Sequence, residues 1–171
     1  KKSYKRKQKC LFLDRDNTLI RCQPGEYIIN KNQIILLKEN IGIISDIAKD
    51  YDLIIMATNQ PQISMGLITW KNVMEINSFI LQECLKLKLK IDCFAICPHH
   101  SHSGFPNENI SLKQDCFCRK PKPGLLIQES FYRNIDLSRS MMIGDSMNDE
   151  IAAKRAGASY LDINKLNKTI H

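Results

Sequence analysis

The sequence contains no long apolar run. No segment reaches the roughly 18 consecutive apolar residues that a membrane-spanning helix requires. The cationic first residues are followed by neither an apolar core nor a small-residue cleavage site, so we expect no membrane span and no secretion signal. Internal repeats and low-complexity tracts are absent as well. A chain of 171 residues, 43% of them hydrophobic, therefore predicts one compact domain.

Aromatic residues are scarce, at 7% of the chain, and they are not interleaved with the basic residues. Base stacking on aromatic rings supports much single-stranded nucleic acid binding, so this scarcity argues against such a surface. The formal charge of +7 nevertheless suits anionic ligands. Much of the excess comes from one run at the start: Lys1, Lys2, Lys5, Arg6, Lys7 and Lys9. We interpret residues 1–9 as a flexible basic tail and residues 10–171 as the folded domain.

The seven cysteines are an odd number, and four of them fall in or beside the segment 97–123. A disulfide framework explains this distribution poorly, whereas a metal site in a reducing compartment explains it well. We therefore predict a cytoplasmic protein that binds a metal through part of its cysteines.

Short apolar runs alternate with amphipathic stretches, which is typical of a parallel sheet covered by helices on both faces. The predicted strands are 10–13, 53–57, 91–96, 141–144 and 158–161. The predicted helices are 41–48, 70–85, 125–133 and 148–156, the last ending at Gly157. The segment 97–123, rich in Cys, His, Pro and Asn, fits neither pattern, and loops of that length are usually functional or held by a metal.

Polar residues stand at the predicted carboxyl ends of the strands, where open parallel sheets bind ligands. The set comprises Asp14 and Asp16 after the first strand, Thr58 and Asn59 after the second, Asp145 after the fourth, and Lys120 ahead of a crossover helix. One crevice would then collect carboxylates, a hydroxyl group and a fixed cation. These are the groups that phosphoryl transfer requires.

Each part of that chemistry has a candidate residue. We predict that Asp14 is the nucleophile and that Asp16 protonates the leaving alkoxide and later accepts a proton from water. Thr58 and Lys120 would bind the transferring phosphoryl group. Carboxylate oxygens would hold Mg²⁺, and the predicted ligands are Asp14, Asp16 and Asp145, with Asp149 in a supporting position.

Four segments resemble, in the correct order, the motifs of the haloacid dehalogenase superfamily. They are Leu13-Asp14-Arg15-Asp16-Asn17-Thr18-Leu19, Ala57-Thr58-Asn59-Gln60, Arg119-Lys120-Pro121-Lys122-Pro123-Gly124, and Gly144-Asp145 with Asp149. The Asp-Arg-Asp opening, the Thr-Asn-Gln turn and a Cys/His loop before Arg-Lys-Pro resemble one subgroup, the D-glycero-D-manno-heptose-1,7-bisphosphate 7-phosphatases and histidinol-phosphate phosphatases. The resemblance covers nearly the whole chain apart from the basic tail.

The resemblance implies an α/β fold, a Rossmann-like three-layer sandwich with a central parallel sheet and no large cap domain. It implies a Mg²⁺-dependent phosphomonoester hydrolase that forms an aspartyl phosphate and acts on a sugar phosphate, with heptose bisphosphate of surface polysaccharide biosynthesis as the first choice. Asn59 and Gln60 are expected to bind substrate, and Arg119 offers a forked cation for a second, unreactive phosphate. The family usually has Gly at the position of Asn17. Because Asn tolerates left-handed backbone angles, we expect this turn to survive.

A second constellation lies in the segment 97–118, which we interpret as a zinc loop. Cys97-Pro98-His99 and Cys116-Phe117-Cys118 supply three thiols and an imidazole, a set that suits tetrahedral structural Zn²⁺. His100 and His102 are alternatives to His99. The resemblance implies the same Cys-x-His and Cys-x-Cys pattern, with an insertion at 101–113 in this chain.

Other functions remain open at this point. A histidinol-phosphate phosphatase is close, because the motifs separate the two substrates poorly. The basic charge would suit a nucleic-acid end phosphatase, and the zinc loop would suit an inactive regulatory domain, although intact Asp14, Asp16, Lys120 and Asp145 argue against inactivity. The chain does not begin with Met, which indicates a fragment or a processed start. We expect fusion to, or association with, another enzyme of the same pathway.

Overall fold

The computed structural model describes residues 6–102 and 104–166. Residues 1–5 of the predicted basic tail lie outside the described residues, and the division at residue 10 stays a prediction. Gln8 forms an isolated bridge with Ile135, and the backbone N–H of Lys9 donates to the Asp52 carboxylate. No helix within residues 6–102 and 104–166 combines the length and the apolarity needed to cross a bilayer.

Five parallel strands form one sheet in the order β3-β2-β1-β4-β5. Their bounds are β1 Cys10–Leu13, β2 Leu53–Asn59, β3 Cys93–Cys97, β4 Met141–Gly144 and β5 Ser159–Asp162. The helices are α1 Lys38–Ala48, α2 Trp70–Lys86, α3 Gly124–Arg133, α4 Met147–Ala156 and α5 Ile163–Leu166. Three single turns of 3₁₀ helix lie at Lys31–Gln33, Ile110–Leu112 and Leu137–Arg139.

The core has two halves, one on each face of the sheet. Side chains alternate between faces along a strand, so β1 contributes Leu11 and Leu13 to one half and Cys10 and Phe12 to the other. The first half also contains apolar residues of α1 and α2, and the second contains residues of α3 and α4. This is the predicted three-layer α/β sandwich. The described residues between β1 and α1, and between β3 and α3, contain no more than a single 3₁₀ turn each, so no large cap domain is present there.

The strand register fixes where β1 ends relative to its two neighbours. Leu13 of β1 pairs with Met56 of β2 and with Ile143 of β4. The next residue, Asp14, donates its backbone N–H to the carbonyl of Ile143 over 2.9 Å. Asp14 therefore leaves β1 beside the end of β4, while β2 continues past it to Asn59, and the backbone of Asp14 is fixed.

The second strand is longer than the sequence predicted. Thr58 and Asn59 are polar and were predicted to follow the strand, yet both pair with β3, opposite Ile96 and Cys97. Because they stay in the ladder, their backbone is fixed by pairing with β3. The third strand is also shifted to Cys93–Cys97, and α5 was not predicted.

Candidate active site

A buried ammonium group lies at the centre of the site. Lys120 is 3% exposed, and its Nζ donates to Asp14 Oδ1 and Asp149 Oδ1, each over 2.6 Å, and to the carbonyl of Ala57 over 2.9 Å. Burial alone would lower the pKa of Lys120, but the charges of Asp14 and Asp149 outweigh it and raise the pKa above its usual value. Lys120 is therefore a fixed cation that joins the first, third and fourth motifs.

Asn59 holds the backbone of Lys120 in place. Its side-chain oxygen accepts from the Lys120 N–H over 3.1 Å, and its side-chain nitrogen donates to the Lys120 carbonyl over 3.0 Å. The amide was predicted to bind substrate, whereas the structure directs it at a backbone peptide. Asn59 thus ties the end of β2 to the loop that carries Lys120.

Three carboxylates surround this lysine. Oxygens of Asp14, Asp145 and Asp149 lie within 4.8 Å of one another. Burial raises the pKa of Asp14 to about 7, against the lowering effect of Lys120, and burial together with the charge of Asp149 raises the pKa of Asp145 to about 6. Lys120 alone does not balance three carboxylates. The hard oxygen donors and the excess of negative charge both fit a divalent cation such as Mg²⁺.

Asp149 depends on the glycine at the end of β4. Its Oδ2 accepts from the Ser146 hydroxyl over 2.6 Å and from the Ser146 N–H over 3.3 Å, which closes the capping box of α4. A Cβ added at Gly144 would lie 2.5 Å from Asp149 Cγ and Oδ2. Only glycine at position 144 leaves room for this carboxylate.

We expect Gly144→Ala to reduce the predicted phosphoryl-transfer activity by about 10²-fold, because Asp149 and with it Lys120 must move. Overpacking should also lower the free energy of unfolding by about 1–3 kcal/mol. Gly42→Ala on α1 is a matched control, since its added Cβ would meet nothing within 4 Å. Kinetics and chemical denaturation of both variants test this, and equal behaviour of the two variants would contradict it.

The predicted acid/base, Asp16, lies apart from the three-carboxylate group. Its carboxylate accepts from Arg15 Nε and Nη2 over 3.0 and 3.1 Å, and from Gln60 Nε2 over 3.4 Å. The same Gln60 nitrogen donates to Thr58 Oγ1 over 2.7 Å, and both Gln60 and Thr58 are buried. Gln60 therefore links the predicted phosphoryl-binding hydroxyl to Asp16. Gln62, which donates to Gln60, extends this buried chain and was not predicted.

The turn after Asp16 has the expected left-handed residue. Asn17 has φ of 57°, its N–H donates to the carbonyl of Ile20, and its side-chain oxygen accepts from the N–H of Cys22 over 2.9 Å. The side-chain hydrogen bond supports a conformation that Gly would adopt without strain.

The predicted zinc ligands come together in a second group. The sulfur atoms of Cys97, Cys116 and Cys118 are 3.2–3.4 Å apart, and Nδ1 of His99 lies 3.7 Å from Cys97 Sγ and 3.2 Å from Cys118 Sγ. Four donors at the corners of such a compact group suit a tetrahedral Zn²⁺, for which Zn–S bonds of about 2.3 Å set the spacing. Hydrogen bonding with Cys97, followed by Cys116 and His99, lowers the pKa of Cys118 to about 5 against the effect of burial.

The structure selects one of the three candidate histidines. Cys97 is the last residue of β3, and His99 two residues later turns its ring back to the three thiols. His100 instead accepts at Nδ1 from the N–H of His102 and packs edge-on against Phe105. Among the described residues, neither His100 nor His102 belongs to the four-donor group.

The zinc loop also contacts the rest of the site. The guanidinium of Arg119, next to Cys118 and Lys120, donates to the carbonyl of His99 over 3.2 Å. In the predicted insertion, the Asn109 N–H donates to the carbonyl of Ser64, in the segment that follows β2. The two ends of the loop are therefore joined to each other, and its middle is joined to the segment that follows β2.

A cavity of about 690 Å³ opens beside Asp145, the one member of the three-carboxylate group that lines it. This volume falls in the range of about 300–1,000 Å³ that is typical of small-molecule sites. Its lining residues are Asn17, Arg21, Leu36, Leu37, Lys38, Glu39, Asn40, Asp145 and Asn164. A phosphorylated metabolite would thus have space next to Asp145.

Comparison with known proteins agrees with this geometry. A hydrolase-like family model, HAD-hydrolase-like, matches residues 117–163. The D-glycero-beta-D-manno-heptose-1,7-bisphosphate 7-phosphatase of Pasteurella multocida is 30% identical over 163 residues, which cover 95% of this chain and 85% of that protein. The chain belongs to this family of haloacid dehalogenase phosphatases.

Further relatives of the phosphatase extend the comparison. The D-glycero-alpha-D-manno-heptose-1,7-bisphosphate 7-phosphatase of Mycobacterium tuberculosis (strain ATCC 25618 / H37Rv) is 32% identical over 155 residues, covering 89% of this chain and 75% of that protein. The crystal structure of D,D-heptose 1,7-bisphosphate phosphatase from B. bronchiseptica, complexed with magnesium and phosphate, has a TM-score of 0.74 at 23% identity. The match covers 95% of this chain and 87% of the B. bronchiseptica chain, and the two proteins share the fold.

Proposed function

We propose that the phosphatase removes the 7-phosphate of D-glycero-D-manno-heptose 1,7-bisphosphate in a Mg²⁺-dependent reaction. The observation that carries this proposal is the buried contact of Lys120 with Asp14 and Asp149, which assembles three of the family's motifs into one centre. The substrate follows from the names of the relatives, which include phosphatases of both the alpha and the beta anomer. No observation favours histidinol phosphate or a nucleic acid end.

In this proposal Asp14 attacks the phosphorus and the bond to the sugar oxygen breaks. Asp16, in its acid form, gives its proton to that oxygen, so the sugar leaves as an alcohol and an aspartyl phosphate remains. Water then attacks the phosphorus, Asp16 takes the proton back, and phosphate and free Asp14 are released. Lys120 and the Thr58 hydroxyl bind the phosphoryl oxygens, where negative charge builds up.

We propose that Asp14 and Asp145 hold Mg²⁺, with Asp149 in support. Asp16 was predicted as a further ligand, but its contacts with Arg15 and Gln60 direct it elsewhere, and we propose that it serves as acid and base alone. When bound, the ion neutralises the charge of the substrate phosphate and of the buried carboxylates.

Asn59 and Gln60 receive revised roles in this proposal. Both were predicted to bind substrate. The Asn59 amide instead hydrogen-bonds the backbone of Lys120. The Gln60 amide nitrogen donates to Thr58 and Asp16. We propose that they position these catalytic groups. Arg119 remains the proposed partner of the second, unreactive phosphate, with its guanidinium steadied by the zinc loop.

We propose that Cys97, His99, Cys116 and Cys118 hold one structural Zn²⁺. Four protein donors leave no position for a reactive water, so this ion would act by fixing the loop that leads into Arg119 and Lys120. A cytoplasmic location is part of the proposal, supported by seven cysteines that are all free thiols. Association with another enzyme of the pathway stays a prediction.

Mg²⁺ affinity should depend on pH. Burial raises the pKa of both Asp14, to about 7, and Asp145, to about 6, so a proton competes with the cation below these values. We expect the affinity to fall about tenfold per pH unit between pH about 7 and about 6, to fall more steeply below pH about 6 where both carboxylates bind protons, and to level off above pH about 8. Titration calorimetry in buffers of different ionisation enthalpy measures both affinity and released protons. A pH-independent affinity with no proton release would contradict the assignment.

A phosphate-release screen tests the substrate. The panel contains Mg²⁺ with both anomers of the heptose bisphosphate, the heptose 7-phosphate and 1-phosphate, histidinol phosphate, and oligonucleotides phosphorylated at either end. We expect kcat/KM to be highest for one bisphosphate anomer, with the 1-phosphate retained in the product. Preference for histidinol phosphate or for an oligonucleotide would overturn the proposed substrate while leaving the phosphatase chemistry in place.

A further inference from the structure

A buried guanidinium lies directly beside Asp16. Arg15 is 1% exposed, and its Nε and Nη2 donate to the two oxygens of the Asp16 carboxylate over 3.0 and 3.1 Å. Its Nη1 points the other way and donates to Oδ1 of Asn77 over 3.1 Å. Asn77 is fully buried in α2, so Arg15 connects Asp16 to a helix of the core.

The contact with Arg15 fixes the orientation of the Asp16 carboxylate as well as its distance from the guanidinium. Two parallel hydrogen bonds from one planar guanidinium define both the position and the plane of a carboxylate, which a lysine cannot do. One edge of the Asp16 carboxylate is thus held by the protein. The side chain is still 30% exposed, so the opposite edge remains accessible to a substrate.

Burial of Arg15 indicates that this contact is specific. A charged group removed from water is strongly destabilising unless it is paired and hydrogen-bonded, and arginine is rarely buried otherwise. Here the pairing partner is the proposed acid and base itself, while Asn77 supplies the remaining described contact. An arginine that only supported the surface would need neither burial nor a pairing with the proposed acid and base.

We propose that Arg15 is a positioning residue for acid/base catalysis, with Asn77 as its anchor. The inference rests on the proposed function, in which Asp16 gives a proton to the leaving alkoxide and recovers one from water. Arg15 takes no part in the proton transfers. It holds the Asp16 carboxylate in the direction from which those transfers occur, and Asn77 prevents the guanidinium from following Asp16 if that side chain moves.

The leaving group distinguishes this role from a purely structural one. 4-Nitrophenolate departs without a proton, whereas the alkoxide of a sugar phosphate requires one, so loss of acid positioning lowers kcat/KM selectively for the sugar phosphate. A residue that only supports the fold would lower both activities alike.

The test compares Arg15→Lys, Asn77→Leu and the control Arg155→Lys, which makes the same chemical change at an exposed position of α4. For Arg15→Lys we expect kcat/KM to fall about 10²-fold for a sugar phosphate that the parent hydrolyses, and less than about fivefold for 4-nitrophenyl phosphate. Asn77→Leu should shift the ratio in the same direction by a smaller factor, and Arg155→Lys should match the parent.

Each outcome bears on a different claim. Equal losses on both substrates in Arg15→Lys and Asn77→Leu would overturn the positioning role, and if Arg15→Lys does not fold, the ratio in Asn77→Leu decides. Asp16→Ala reports on the proposed function separately. If Asp16→Ala lowers kcat/KM selectively for the sugar phosphate and the other two variants do not, only the inference fails. If the parent hydrolyses neither substrate, the proposed function fails.

Discussion

Asp14→Asn should reduce turnover of every phosphomonoester by about 10⁴-fold or more, the scale seen when a nucleophile is removed. An amide can neither attack phosphorus as a carboxylate does nor supply an anionic oxygen to Mg²⁺. The purified variant is tested by phosphate release under Mg²⁺ saturation. Asp50→Asn, an exposed change of the same kind near the end of α1, should behave as the parent.

The same variant should keep its fold. Burial raises the pKa of Asp14 to about 7 from an ordinary value of 3.8, so ionised Asp14 lowers stability at pH above about 7. A neutral amide removes this cost, while Lys120 retains Asp149 as an ionic partner. We expect the thermal midpoint of Asp14→Asn at pH about 8 to equal or exceed that of the parent. If the variant is inactive and also unfolded, unfolding would explain the loss of activity and this prediction would be wrong.

Cys118→Ser should release the structural zinc and impair the site at a distance. Cys118 directly precedes Arg119 and Lys120, so losing its thiolate frees the segment that carries both cations. We expect elemental analysis to find one Zn²⁺ per parent chain, retained through mild EDTA treatment that removes Mg²⁺ and activity reversibly. The variant should lose that Zn²⁺, with higher KM, lower kcat and a fall in kcat/KM of about 10–100-fold.

Cys93→Ser is the matched control for zinc. Cys93 lies on the same strand as Cys97 but outside the four-donor group, so this variant should retain Zn²⁺ and parental kinetics. Active parent protein that contains no Zn²⁺ would refute the site. Zinc loss in Cys118→Ser with unchanged kinetics would refute its coupling to catalysis.

The end of the sheet that carries the candidate active site could be predicted from local pattern. An apolar run followed by a carboxylate marks the end of a buried strand, which is why Asp14 and Asp145 were expected at one edge. The sequence pattern gave the wrong strand boundary where polar residues belong to a strand. Thr58 and Asn59 have the polarity of loop residues, but their pairing with β3 keeps them in the sheet. The hydrogen bond between Asn59 and the Lys120 backbone is visible only in the structure.

Long-range contacts account for the rest. Sequence gives no reason to bury Arg15, since its burial depends on Asn77, 62 residues further along the chain. The choice among His99, His100 and His102 likewise depended on where β3 ends. An arginine between the two aspartates of the first motif was the one available signal for Arg15, and the motif was interpreted through the aspartates alone.

The covalent intermediate offers the most direct measurement. Asp16→Ala should still be phosphorylated by 4-nitrophenyl phosphate, whose leaving group needs no proton, but should hydrolyse the aspartyl phosphate slowly because no base activates the water. Acid quench during turnover, borohydride reduction and peptide mapping would then convert a phosphorylated aspartate to homoserine. We predict homoserine at position 14 and at no other aspartate. Homoserine elsewhere, or none while the variant accumulates 4-nitrophenol in a burst, would contradict Asp14 as the nucleophile.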